Sequence, residues 1–444
     1  DDDDGLLSRL VGGQDIDDSD ATIGFTGKGT GVFENATYYG GAEDDPEDMG
    51  YGDFNNDGFL DIYALESSRA ALIVHLNLGN RQFSSGIHFA LQDNSLDDRN
   101  STVGDFNEDG NLDVVLVDSD PTSNGNVLGT AGVHVAWGDG TGYFSELTSI
   151  VPDAVKTHGA KTADFDNDGH LDLAVTDETN DQFLVVFGDG AGTFDSAQPR
   201  STLPIAAAIT NNGLTDFNIG DLNGDGHIDL VGLVVSDGDD INSVNVFLGD
   251  GSGGFAAELV SPLTTYKTNG IGIAVGDYDE DGTPDLILGS EGSLGLEHAV
   301  YLEGVGDGTF TGESPIYNIN NVTERVYNAG DLNADGHLDA ITADDSEETV
   351  SILLGNGDGT FKTGGLIHAF DSDVLGLAVA DFDKDGVTDI GFYRDDNDST
   401  TGLHIWYGLS STDANDAMDS TLGSAKGAAE KSHVKNVIDL NQSS

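Results

Sequence analysis

One nine-residue pattern, Asp-x-Asp/Asn-x-Asp-Gly-x-x-Asp, occurs seven times in this 444-residue chain, and no other feature constrains the fold so tightly. The copies read DFNNDGFLD from Asp53, DFNEDGNLD from Asp105, DFDNDGHLD from Asp164, DLNGDGHID from Asp221, DYDEDGTPD from Asp277, DLNADGHLD from Asp331 and DFDKDGVTD from Asp381. Their starts are separated by 52, 59, 57, 56, 54 and 50 residues. A unit of that length, built of several short strands, cannot bury its apolar faces alone. Stacked around an axis, such units form a β-propeller or a similar closed array.

The pattern is also a metal-binding proposition. Ca²⁺ is a hard cation that takes about six to eight oxygens, and a tight loop supplies them from alternate side chains. Positions 1, 3, 5 and 9 carry carboxylates or a carboxamide, and the Gly at 6 allows a sharp turn. The expected ligands of the first loop are Asp53, Asn55, Asp57, the backbone carbonyl of Phe59, and Asp61. The second and third loops give Asp105, Asn107, Asp109, Asn111 and Asp113, then Asp164, Asp166, Asp168, His170 and Asp172. The fourth and fifth give Asp221, Asn223, Asp225, His227 and Asp229, then Asp277, Asp279, Asp281, Thr283 and Asp285. The last two give Asp331, Asn333, Asp335, His337 and Asp339, then Asp381, Asp383, Asp385, Val387 and Asp389. Position 7 varies freely, as expected of a residue that offers only its carbonyl, and its three histidines are not read as ligands of a softer metal.

An EF-hand loop would need an acidic residue at position 12 and a following helix. Position 12 holds Ala64, Leu116, Val175, Gly232, Leu288, Thr342 and Phe392, and strand-like runs such as LDVVLVD follow. The loops therefore join strands. Three or four carboxylates within nine residues repel one another strongly unless a cation lies among them, so about seven Ca²⁺ sites are expected.

A second element marks the same unit. WGDGTGYF (Trp137 to Phe144), FGDGAGTF (Phe187 to Phe194), LGDGSGGF (Leu248 to Phe255) and LGNGDGTF (Leu354 to Phe361) each follow an apolar strand, with EGVGDGTF (Glu303 to Phe310) and the weaker LGNRQF (Leu78 to Phe83) in the same place. Gly-Asp-Gly between strands is hairpin chemistry, and the Phe reads as a core anchor. Each unit is thus strand, acidic loop, strand, crossover, strand, turn, strand. The seventh ends early at HIWYGLSS (His404 to Ser411), and its missing piece stands at the other end of the chain as FTGKGTGVF (Phe25 to Phe33) followed by NATYY. The expected fold is all-β: a seven-bladed propeller with four-stranded blades, closed by the N-terminal strand. Residues 1–20 form an extension, 21–410 the ring and 411–444 a tail.

These units resemble FG-GAP/VCBS-type repeats, the family that includes the integrin α-subunit head, a seven-bladed propeller with calcium loops. The resemblance spans about residues 21–410 and implies fold and metal. The chain lacks a literal FG-GAP string, a D-x-S-x-S metal-adhesion motif and an inserted domain, so ligand recognition in the integrin manner is not implied.

Composition describes the setting. Acidic residues number 81 against 16 basic, a net charge of −65, and seven divalent cations would offset only 14 of those charges. Such self-repulsion is tolerable where the Debye length is about 3 Å, at 1 M salt; the composition points to a halophile. Nucleic acid is excluded as a partner, since phosphate binding needs a basic surface. There is no Cys to report on redox compartment, and no apolar run long enough to span a membrane. A start at Asp1 fits removal of a secretory signal.

Calcium energetics favour the outside of the cell. Sites with dissociation constants of about 10⁻⁴–10⁻³ M each contribute ~1.4–2.7 kcal/mol at roughly 10 mM Ca²⁺ and nothing at cytosolic levels. Sequons at Asn35, Asn100, Asn321, Asn397 and Asn441 lend this weak support.

Three basic residues, Lys426, Lys431 and Lys435, gather in the tail before the apolar run Val437-Ile438. The tail is expected to dock on a neighbouring acidic ring, making a homo-oligomer or polymer. No G-x-S-x-G, H-E-x-x-H or P-loop pattern occurs, so no enzyme is expected. The expected function is that of an extracellular or cell-surface structural and adhesive protein with a glycan or protein ligand. The alternative is a glycan-binding module or polysaccharide-active enzyme on the same ring.

Overall fold

The computed structural model describes residues 29–410 apart from 35, 42–45, 67–70, 91–100, 119–131, 146, 152–156, 158, 178–179, 195–200, 206–213, 238–239, 264–271, 290–298, 317–324, 345–348, 369–375 and 395–401. The extension 1–20, the tail 411–444 and all five sequon asparagines lie outside the described residues. The described residues contain strands and no helix.

Seven four-stranded antiparallel sheets follow one another along the chain. Blade one comprises Pro46–Gly52, Asp61–Glu66, Ala71–His75 and Ile87–Ala90, paired in that order. Its two middle strands are buried at every residue, whereas the last alternates between half-buried and exposed. Blades stacked face to face bury both sides of their central strands, and only the outer strand keeps a wet face.

The register is the same in every blade. The residue just before each acidic loop opposes the Asp at position 9: Gly52 with Asp61, Gly104 with Asp113, Ala163 with Asp172, Gly220 with Asp229, Gly276 with Asp285, Gly330 with Asp339 and Ala380 with Asp389. The residue there is Gly or Ala, and space is short in some blades: a Cβ on Gly104 would lie 2.7 Å from the side chain of Leu171.

Seven apolar clusters form, each between two neighbouring blades. One joins Val115 and Val135 of blade two to Val175 and Val186 of blade three, and another joins Ile62 of blade one to Ala378 and Ile405 of blade seven. The core is therefore a ring of interfaces, and the last of them closes it. Closure follows the sequence expectation. Thr37–Gly41, near the N-terminus, is the outer strand of a sheet whose other members are Gly402–Trp406, Asp389–Arg394 and Leu377–Ala380. Gly29–Phe33 adds a second pairing, with Gly408–Ser410. Phe33 packs against the cluster containing Leu332 of blade six, where the repeat places the Phe of each turn.

Candidate metal centre

Each acidic loop connects the first and second strands of its blade and folds around its own carboxylates. In the third loop, Asp164 accepts the amides of Asp168 at 3.1 Å and Gly169 at 2.8 Å. Asp166 accepts the amide of Asp168 at 3.1 Å, and Asp168 that of His170 at 2.9 Å. The first, second, fourth, fifth, sixth and seventh loops repeat these bonds. The turn is left-handed at position 6, where φ is 85–93° and Gly always stands. It is left-handed at position 4 as well, where Asn56, Glu108, Asn167, Glu280, Ala334 and Lys384 have φ of 53–61°. Sequence gave no sign of that second requirement, because the residue types there share no obvious preference.

Position 9 does more than offer an oxygen. Asp172 is fully buried; one carboxylate oxygen accepts the amide of Phe165 at 2.9 Å, the other that of Gly188 at 2.8 Å. It straps the start of the acidic loop to the turn between the third and fourth strands. The same two bonds recur at Asp61, Asp113, Asp229, Asp285, Asp339 and Asp389. The strap requires close approach: a Cβ on Gly188 would lie 2.2 Å from the carbonyl oxygen of Leu171. Blade one has Asn77 in this place, and its carboxamide donates to the carbonyls of Leu60 and Phe382 at 3.0 and 2.7 Å.

Burial pushes these carboxyls up. Asp61, Asp113, Asp229 and Asp339 rise to about 7, Asp172 to about 8 and Asp285 to about 6, while Asp389 lies well above the ordinary carboxylate range. Desolvation is the main cause. The two amide bonds oppose it, and the negative charge of neighbouring loop residues adds to it.

The neighbouring blade covers each loop. In the next turn along the chain, the amides of Gly142, Gly192, Gly253 and Gly359 donate to the position-2 carbonyls of Phe54, Phe106, Phe165 and Tyr278 at 3.0–3.3 Å. The rings follow: Phe144 meets Phe54, Phe194 meets Phe106, Phe255 meets Phe165, Phe361 meets Tyr278 and Phe83 meets Phe382. The turn Phe is thus a core anchor, as expected, and its partner is the apolar residue at position 2.

The side chains at position 7 are not idle. Asn111 accepts from Asn56 at 2.9 Å, His170 Nδ1 lies 2.5 Å from Glu108, His227 Nδ1 lies 3.4 Å from Asn167, and His337 Nδ1 lies 2.5 Å from Glu280. Lys384 sits over the ring of Phe59 at 5.0 Å. In every case position 4 of one loop meets position 7 of the next blade's loop. In five of the seven loops the variation that looked free is thus paired across the blade interface.

The donors fit a hard divalent cation. Carboxylate oxygens of Asp164, Asp166 and Asp172 lie within 4.8 Å of one another, as do those of Asp277, Asp279 and Asp285, and those of Asp381, Asp383 and Asp385. These acidic clusters can bind a metal ion. In the seventh loop a cation from the chain itself is present: the Arg81 guanidinium bonds Asp383 and, at 3.4 Å, Asp385. Positive charge at that place is thus compatible with the loop's shape.

Repeated strand, acidic loop and glycine turn in one closed ring match a known repeat. The FG-GAP-like repeat matches residues 53–116, 105–175, 164–232, 221–288 and 331–392, well over half of the sequence. The chain belongs to the FG-GAP-like repeat family. No curated protein matches it. Among solved structures, this FG-GAP-like ring is similar to BBS1N in complex with ARL6DN, with a TM-score of 0.54–0.55 at 10% identity over 86% of this chain and 97% of that one. It is also similar to a fungal alcohol oxidase of the AA5 family in complex with copper, with a TM-score of 0.51 at 11% identity over 86% of this chain and 76% of that one. An Agrocybe aegerita lectin that recognises terminal N-acetylglucosamine matches at 17% identity and a TM-score of 0.45, over 73% of this chain and 80% of that one. At these identities the likeness concerns the fold alone.

Proposed function

We propose that this FG-GAP-like protein is an extracellular, calcium-stabilised propeller that serves as a structural and adhesive component of a cell surface in a high-salt setting. The observation that carries the reading is the repetition of one acidic loop, with its buried strap, in all seven blades. A site confined to one blade would suit a switch or a catalyst. Sites repeated around the ring make the stability of the whole depend on the ion.

Positions 1, 3, 5 and 9 of each loop would supply side-chain oxygens and position 7 a carbonyl. A bound Ca²⁺ would supply positive charge that holds the buried position-9 carboxylates ionised. Ions bound at about 10⁻⁴–10⁻³ M are filled where calcium is abundant, which supports an extracellular place. Among the described residues no helix is long and apolar enough to cross a membrane.

The role is a binding and building one, without catalysis. The metal-binding carboxylate groups found among the described residues fall on the repeat's own positions. Assembly would run through residues 411–444, whose lysines complement the acidic surface of a second copy. Electron microscopy in molar salt with calcium tests this by comparing the full chain with a chain ending at Ser410. Filaments or lattices from the full chain alone are expected. Single rings from both would overturn assembly through the tail and leave a soluble propeller to be screened against glycans.

A further inference from the structure

The turn that covers the seventh loop differs from its counterparts. Where Gly142, Gly192, Gly253, Gly308 and Gly359 stand in blades two to six, blade one carries Arg81 in the same left-handed conformation, with φ of 57°. A long side chain is held there at a backbone angle that favours Gly, so something must hold it.

Four contacts do. The guanidinium bonds Asp383 and Asp385 of the seventh loop and Glu34, at 2.9 Å, and it lies 4.4 Å over the ring of Tyr407. The backbone is held too: the Tyr39 hydroxyl, on the closing strand, donates to the Arg81 carbonyl at 2.7 Å.

The choice of oxygens is informative. In every loop one oxygen of position 3 and one of position 5 accept backbone amides, and in the seventh these are Oδ1 of Asp383 and Oδ1 of Asp385. Arg81 takes the remaining Oδ2 of each. Arg81 thereby places its charge on two of the three carboxylates that lie close enough together in this loop to surround a metal. Asp383 is only 6% exposed, so salt screens its pair with Arg81 far less than a surface ion pair. A guanidinium fixed on two carboxylates also repels a second cation.

We propose that Arg81 is the resident cation of the seventh loop, replacing calcium where the ring closes. The proposal rests on the metal-binding reading of the other loops. It assigns the chain one calcium per blade in blades one to six. Blade seven carries instead a latch made wholly of protein, joining blade one, blade seven and the N-terminal closing segment. A ring closed by its own arginine stays joined at its one chain discontinuity when the calcium concentration falls.

Counting bound calcium tests this. The full chain is dialysed to equilibrium against radiolabelled calcium in molar potassium chloride, alone and as Arg81→Gly and Arg81→Gln. Arg81→Gly restores the residue of the other turns, and Arg81→Gln keeps a long side chain without the charge. The wild type should bind one ion fewer than it has loops, and each variant should gain one. Ions in every loop of the wild type, or variants that gain none, would overturn the proposal and leave the metal reading intact. No calcium bound to any of the three would overturn the metal reading and this proposal with it. The wild-type count decides even if a variant fails to fold.

Discussion

Blades two and three meet at their loops through Glu108 and His170, with the amide of Gly192 on the carbonyl of Phe106. Blades seven and one meet through Lys384 over Phe59, and Arg81 occupies the place of that glycine. The apolar parts are alike in both: Phe194 packs on Phe106, and Phe83 packs on Phe382. What differs is the charge brought to the loop. At the closing junction the turn brings a guanidinium to the acidic loop, whereas at the first it brings only a glycine amide. Blades two and three are also tied by an unbroken chain, so their separation is limited even when contacts loosen. Blade one is tied by the chain only to the closing strand Thr37–Gly41, which hydrogen bonds alone hold to the rest of blade seven, and the closing junction carries the extra bonds.

Removal of calcium should break that comparison most visibly. Chelation in molar salt is expected to lower the melting temperature sharply and to weaken protease resistance, because each of several sites contributes about 1.4–2.7 kcal/mol at roughly 10 mM calcium. Amide exchange during partial chelation should show the loop 381–389 protected longer than 105–113. Unchanged melting after chelation would rule out structural calcium, and equal exchange in the two loops would remove the distinction between the junctions.

A smaller loss is expected from cutting one strap. Asp172→Ala leaves the buried amides of Phe165 and Gly188 without acceptors, at a cost of roughly 1–3 kcal/mol for each. Asn107→Ala, in an exposed part of the second loop, removes one acceptor that water replaces and should cost under about 1 kcal/mol in calcium-free buffer. Denaturant melts of both variants check the contrast. Equal costs would mean that the strap contributes nothing beyond an ordinary surface bond.

The smallest effect is a pH trend in the calcium-free chain. Six of the position-9 carboxyls have folded values of about 6 to 8 against an unfolded value near 3.8, and Asp389 is raised as well. The folded state therefore binds more protons than the unfolded state between those limits. Their contribution is fully present below about pH 4 and is lost as the pH rises through 6 to 8. Calcium-free protein in fixed salt should melt higher at pH 5.5 than at pH 8. With calcium bound the carboxylates must be ionised, so the trend should reverse. A calcium-free chain that melts higher at pH 8 would contradict the burial argument.

Much of this was legible in the chain. The spacing of the acidic loops, the glycine turns and the displaced FTGKGTGVF element implied seven blades and their closure, because hairpins and tight loops are made by residues close in sequence. The same locality brings the acidic groups of each loop together, since each proposed ligand set lies within nine residues. The double duty of position 9 was not readable. A constant Asp looks like a ligand, and only the folded blade brings the amide of Gly188 to Asp172. Nor was the pairing of position 4 with position 7 readable, because Glu108 and His170 stand 62 residues apart and gain a common boundary only when blades stack. Arg81 is the extreme case. In sequence it is one residue that weakens a glycine motif, 302 positions from Asp383. Local hydrogen bonding thus determined the blades from sequence alone, while the neighbours across each interface were decided by ring closure, which no local pattern encodes.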